Sequence, residues 1–390
     1  MDAKKVGRFA VMPVMTGFFI MGFVDIVGVA TNYIKNDFTG MSDTVSGLVS
    51  LSCFLWFLLL SVPTGMLMNK IGRKNTVLLS FAVTVIAMAV PAVSYSFISV
   101  ILAFTLLGIG NTLLQVSLNP LVINVVSGDR LTGSLTLGQF IKAISSFLGP
   151  IIVAAVAGSF MHWRLVFPIY ALISFLAMIW LWATPIEEKK FTDKISLGRT
   201  FSLLKDKYIL AFFIGILVLV GVDVGMNVTF PKVLMERCSF TLEKAGMGNS
   251  VYFLARTVGA FAGGLLLMKL PEGKFFVVSV SIAIAGLAGM IFAADAVLLF
   301  VSVVLFGLGY ANLFSILMSL SMKREPERAN EVSSLLIVGV SGGAVVPVAL
   351  GAVSDGFGSQ GAALVALGIL WLYMLFIMKP VITTSASTRS

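Results

Sequence analysis

The chain is poor in charge. Of its 390 residues only 12% are Asp, Glu, Lys or Arg, about half the ~25% of a soluble domain. That excludes a conventional solvated surface. Cysteine is scarce: Cys53 lies in an apolar run and Cys238 just past another. Two such residues build no disulfide framework and read as small packing groups. The one histidine, His162, has neither a second histidine nor a carboxylate near it in sequence, so no metal site and no cofactor are indicated. No GxxxxGK[ST] loop occurs, so nucleotide hydrolysis does not drive this chain from within. No nucleophile–base or metal set appears at mid-span, which makes an enzyme the least expected reading.

Long apolar runs take the place of what is missing. Hydrophobic residues make up 58% of the chain, and the mean hydropathy is +1.03. A membrane-spanning helix needs about 20 mostly apolar residues, and twelve runs qualify: 9–34, 43–68, 75–94, 96–126, 131–158, 163–184, 208–234, 243–268, 274–293, 296–321, 330–353 and 360–379. Lys4, Lys5 and Arg8 precede the first run as in a signal peptide. The run is too long for a signal core and lacks a small-residue cleavage site, so it reads as an uncleaved first span.

The net charge of +9 does not point to nucleic acid, because the basic residues fall between the apolar runs. With both termini inside, 20 of the 27 Lys and Arg lie on the cytoplasmic side. Five (Lys35, Arg164, Lys232, Arg237 and Lys244) lie outside, and Lys142 and Arg256 lie within spans. This bias predicts cytoplasmic termini in a cell inner membrane. Trp163 and Arg164 read as interfacial anchors, and Asp355 as a helix-end or loop residue.

The chain also repeats. GMLMNK at 65–70 matches GLLLMK at 264–269, and GIG at 108–110 matches GLG at 307–309, both offset by 199. Asp25 and Asp223 are offset by 198. The expected fold is an all-α integral membrane protein, with twelve transmembrane helices in two pseudo-symmetric six-helix bundles and a site between them. The expected boundaries are 1–184 and 208–390 for the bundles, with a polar cytoplasmic linker at 185–207 that carries EEKK.

Four charges lie mid-span: Asp25, Lys142, Asp223 and Arg256. Charge at that depth is costly and is functional by default. Pairing within each half would join Asp25 to Lys142 and Asp223 to Arg256. A proton-coupling role would use Asp25 or Asp223, because burial and a nearby cation act oppositely on a carboxylate's proton affinity. An anionic substrate could use Lys142 or Arg256. Polar stripes accompany these charges. Asn111, Gln115 and Asn119 are four apart on span four; Gln139, Lys142 and Ser146 share a face of span five. Asn249, Tyr252 and Arg256 do so on span eight, Asp223 and Asn227 on span seven, and Tyr310 and Asn312 add polar groups to span ten. Amides offer donors and acceptors that suit sugar hydroxyls, and they also serve as helix–helix bonds in membranes.

GMLMNKIGRK at 65–74 resembles the signature of the major facilitator superfamily. The resemblance implies gating at this loop by Gly65, Asn69, Gly72 and Arg73, though the family usually has Asp where this chain has Asn69. Four further segments resemble the fucose–galactose–glucose:proton symporter family: LLQVSLNPLV at 113–122, LGQFIKAISSFLGPI at 137–151, VGVDVGMN at 220–227 and GGAVVPVALGAVSDGFG at 342–358. Some members carry Glu at the position of Gln115. The first-span Asp of the fucose type aligns nearer Gly28 than Asp25, and the fifth-span Asn is Lys142 here.

The resemblance implies a secondary transporter, expected as a monomer, that imports a monosaccharide or small sugar derivative by proton symport with alternating access. Expected sugar contacts are Asn111, Gln115, Asn119, Gln139, Lys142, Tyr252, Arg256 and Asn312, and expected proton carriers Asp25 and Asp223. An anionic sugar held by Lys142 and Arg256 is the alternative. A proton-coupled drug exporter fits less well, because IIVAAVAG after Gly149-Pro150 lacks the glycines expected of one. A sensor that kept the fold would carry a long added cytoplasmic domain.

Overall fold

The computed structural model describes residues 3–125, 131–157, 162–188, 197–267, 270–325 and 328–387. Among them, twelve helices are long and apolar enough to cross a membrane. They are α1 Ala10–Asp37, α2 Asp43–Met68, α3 Arg73–Val93, α4 Phe97–Leu118, α5 Leu137–Ala157 and α6 Trp163–Ala183. The second six are α7 Lys207–Cys238, α8 Leu242–Leu267, α9 Glu272–Phe292, α10 Ala296–Ser321, α11 Ser334–Phe357 and α12 Gln360–Ala386. Only helices that satisfy their own backbone can cross hydrocarbon without a closed barrel, so the apolar runs became these elements with ends shifted by a few residues. The linker residues 189–196 lie outside the described residues.

An even number of crossings returns both termini to one end of the molecule, here called the near end. The opposite end, which carries the α1–α2 and α7–α8 turns, is the far end. One apolar core gathers side chains of α1 to α6, with Val224, Val340 and Ala344 from the second half. The other gathers side chains of α7 to α12. The bundles meet along α2 with α11, α5 with α8, and α1 with α7.

The sequence repeat reappears as a packing repeat. A methyl group added at Gly108 would lie 2.0 Å from the Cys53 carbonyl oxygen, and one at Gly307 would lie 3.0 Å from that of Tyr252. One at Gly110 would meet Thr84 and Ser80; one at Gly309 would meet Ala283 and Ser279. Each partner pair keeps the 199-residue offset, so the glycines recur because the same two helix crossings recur.

The near end is tied by local chemistry. Gly72 takes φ +91°, which ends α2 and starts α3. The Glu188 carboxylate then accepts from the N–H groups of Arg73 (2.7 Å) and Lys74 (2.6 Å). An anion at a helix N-terminus contributes about 0.3–1 kcal/mol. So EEKK is not uniformly solvated: its second glutamate caps α3. At the start of α7, Asp206 accepts from Tyr208 and Ile209 and takes a two-point bond from Arg324. Burial works to raise its carboxyl pKa, and these bonds outweigh burial and hold it below the ordinary value.

Trp163 corrects an expectation. It is no interfacial anchor but is buried, and its indole N–H donates to Asp37 at 2.9 Å. Arg164 stacks 3.6 Å from the Tyr95 ring and pairs with the same carboxylate. The acidic partner at the end of α1 draws the indole inward, while the Arg164 side chain stays 41% exposed.

Gly108→Val should force α2 and α4 apart and destabilise the protein by about 1–3 kcal/mol or more. Gly264→Ala, with no described atom within 4 Å of the added methyl, should be neutral or stabilising. Thermal unfolding of the two variants in detergent gives the comparison, and equal melting would show that the glycine crossing carries no packing constraint.

Candidate functional site

The site begins with a break. Helix α1 changes to a tighter 3-10 turn over Gly22–Ile26, the segment that holds Asp25. A tightened turn leaves backbone groups in need of partners, which hydrocarbon cannot supply. Asn111 on α4 donates its amide to the Met21 carbonyl at 3.0 Å and accepts from Gln115 at 2.9 Å. Asn111 therefore supports the break, with its amide used at both ends.

Two glycines press the break between the halves. A methyl at Gly22 would lie 2.7 Å from the Lys142 carbonyl oxygen on α5. One at Gly28 would lie 2.5 Å from Asn227 on α7 of the other bundle. Asp25 thus sits at the seam, where the Ser146 hydroxyl of α5 donates to it.

The second half supplies a complete ion pair. Arg256 donates to Asp223 Oδ2 at 2.7 Å and Tyr252 donates to Oδ1 at 2.6 Å. Asn227 donates to the Asp223 carbonyl oxygen at 2.8 Å. The Arg256 guanidinium also lies 4.7 Å from the Tyr310 ring centre, a cation–π contact. Behind it, Tyr310 and Trp371 form an aromatic wall with ring centres 6.2 Å apart. Asp25 and Lys142 both act electrostatically on Asp223 across the seam.

The four mid-span charges are therefore unequal. The expected Asp223–Arg256 pair is present. The expected Asp25–Lys142 pair is not: Asp25 takes the hydroxyl of Ser146, and Lys142, half-buried, has no ion pair or hydrogen bond from its ammonium among the described residues.

The remaining expected contacts divide. Asn312 is buried and donates to the Gly259 carbonyl at 2.8 Å, a helix–helix bond between α10 and α8. Gln115 is half-buried and Gln139 exposed. The side chains of Asn119 and Asn69 lie outside the described residues. Gly65 is buried in α2. Arg73 donates to Asn124 at 2.6 Å, which ties the start of α3 to the helical continuation of α4 that runs on to Val125.

A far-end cluster escaped the sequence reading. The Asp43 carboxylate accepts from Lys35, from Lys232 (2.8 Å), from Ser354 (2.8 Å) and from Gln360 (2.6 Å). Asp355 accepts from the Asp43 and Thr44 N–H groups at 2.9 and 2.8 Å and from the Thr44 hydroxyl at 2.6 Å. Nearby, Asn32 donates to the Val228 carbonyl at 3.3 Å. These bonds join α1 and α2 to α7, α11 and α12. Asp355 is thus no mere helix-end residue. Apart from Lys35, the partners lie about 190 to 320 positions away and leave no local pattern to find; a carboxylate at each of two apolar-run ends was the only trace.

The family profile of the Major Facilitator Superfamily matches residues 14–346. The chain belongs to the major facilitator superfamily. A glucose/galactose transporter of Brucella abortus is 25% identical over 393 residues, covering 96% of this chain and 94% of its own. A probable sugar efflux transporter of Helicobacter pylori is 23% identical over 384 residues, covering 95% and 96%. Among solved structures, the E. coli fucose:proton symporter superposes with a TM-score of 0.66 at 14% identity, covering 97% of each chain. That likeness carries the fold: two six-helix bundles of the superfamily.

Arg256→Gln should destabilise the protein by about 3–5 kcal/mol, because it leaves a buried carboxylate uncompensated. The double variant Asp223→Asn/Arg256→Gln should recover most of that loss. Denaturant unfolding of the single and double variants measures the coupling, and purely additive losses would show that the pair does not act as a unit.

Proposed function

We propose that this superfamily member imports a monosaccharide or small sugar derivative together with protons, by alternating access, and that Asp25 is the proton carrier. The observation that carries the proposal is the unequal partnering of the two mid-span carboxylates. Protonating Asp223 would leave Arg256, whose side chain is 26% exposed, a largely enclosed cation without its counter-charge, at a cost below the ~3–5 kcal/mol of a fully buried pair. Protonating Asp25 strands no cation, because the Ser146 hydroxyl can turn from donor to acceptor. The division sharpens the expectation that both aspartates serve: Asp25 exchanges the proton, and Asp223 holds Arg256 and Tyr252 in position.

The sugar names of the relatives support the substrate class, and the bacterial symporter pattern in 113–151 supports import over efflux. Gln115, Gln139, Lys142, Tyr252 and Arg256 are the proposed sugar contacts, with Asn119 beside them. Asn111 and Asn312 would serve the site through the helix bonds they make. The halves are taken as 1–184 and 208–390, joined by the linker, in a monomer. The Lys and Arg bias supports an inner membrane with cytoplasmic termini. The far end then faces outward, and its Asp43 cluster would be the outer closure of an inward-facing state. At the near end, Gly65, Asn69, Gly72 and Arg73 would gate the opposite state.

Asp25→Asn should abolish sugar-dependent proton uptake in proteoliposomes while leaving sugar counterflow within about threefold, since a neutral carboxamide mimics the protonated carrier. Proton uptake that persists with sugar in this variant would remove Asp25 from the role.

The unpaired Lys142 ammonium favours a second reading, in which the sugar carries a carboxylate. Lys142→Gln should then weaken competition by a uronic acid about tenfold or more, as expected for a lost charge-assisted bond, and competition by a neutral hexose much less. Equal losses would set that reading aside.

A further inference from the structure

We propose a second sugar site, at the far end, in the cleft that lies over the Asp43 cluster. The proposal rests on the sugar-transport reading above and adds a place where sugar binds while the far end is closed. The cleft has a volume of about 510 Å³, within the ~300–1,000 Å³ of small-molecule sites. It is walled by both bundles: Asn32, Lys35 and Asn36 come from α1, Lys232 from α7 and Gln360 from α12.

The lining has hydrogen-bonding capacity to spare. An ammonium group carries three N–H donors. The bonds that Lys35 and Lys232 make to Asp43 use one donor each, so both keep donors for a ligand. Asn32 is 5% exposed and its amide N–H₂ is committed to the Gly28 and Val228 carbonyls. Its Oδ1 has no hydrogen-bond partner among the described residues. A buried acceptor left unpaired costs about 1–3 kcal/mol; this one is covered, so a hydroxyl in the cleft would reach it only as the Asn32 side chain turns outward.

Charge selects the ligand class. The two ammonium groups are balanced nearby by Asp43, and Glu236, also on the wall, accepts from the Gln360 N–H at 2.8 Å. Counting Asp355, which also acts on Lys232, the cleft has no positive excess and suits a neutral polyhydroxylated molecule better than an anion. Met235 and Leu242 supply the apolar part of the wall, a surface for the C–H face of a sugar ring. A sugar held here would touch Lys232 and Gln360, two groups that close the seam, so occupancy and opening of the far end are coupled through shared donors.

The test uses the full-length protein in lipid nanodiscs with D-galactose as probe, followed by equilibrium dialysis. The variant Asn36→Leu/Met235→Trp fills the cleft without touching the Asp43 bonds; Gln115→Leu/Lys142→Leu strips the central site. The wild-type protein should bind about two sugars and each variant about one, as two independent small-molecule sites require. The cleft variant should also raise the KM of uptake about three- to tenfold, the worth of one or two hydrogen bonds, with kcat within about twofold. Binding of a single sugar that the central variant abolishes and the cleft variant leaves intact would overturn the second site and spare the central one. Binding lost only in the cleft variant would do the reverse.

Discussion

One hydrogen bond, from the Asn111 amide to the Met21 carbonyl, underlies the centre of this protein. A helix in hydrocarbon cannot leave a backbone carbonyl unpaired, so α1 can tighten beside Asp25 only where another helix supplies a donor. Asn111 does so from α4, and Gln115 steadies it from one turn away. The tightened turn then fits between Gly22, against α5, and Gly28, against α7. Asp25 reaches the seam between the bundles because a neighbouring amide stabilises the break that carries it there.

The two halves use the same folding plan with different chemistry. Their glycine crossings repeat at a fixed offset, and each half has its own apolar core. Yet α7 runs as a continuous helix through Asp223, whereas α1 breaks at Asp25. In the second half the carboxylate is fully partnered by Arg256 and Tyr252; in the first it is met by a serine hydroxyl. A carboxylate can exchange its proton at low cost only where no buried cation depends on it. Symmetry of backbone and asymmetry of partners are the ground of the proposed division, with Asp25 for proton exchange and Asp223 for support.

Polar cost also explains the far end. Asp43 accepts from four side chains, and three of them belong to the opposite half. Lys232 there is 7% exposed, so while the halves are joined its charge is tolerable only because Asp43 pairs with it. A seam closed by such bonds is held firmly and is still separable, since water can solvate every member once the bundles part.

Much was legible in the chain. Twelve spans, two repeated halves and the mid-span charges follow from length, hydropathy and offset, because the bilayer imposes one length and one periodicity on every crossing. The Asp223–Arg256 pair was readable too. The absence of an Asp25–Lys142 pair, the Asp43 cluster, the role of Asp355 and the burial of Trp163 were not, because the deciding partners come from distant helices. Sequence by itself determined which residues must leave the lipid; the tertiary structure decided which of them meet. The physical reason is that burial cost is a property of each side chain, whereas pairing depends on the relative placement of helices that no local pattern encodes.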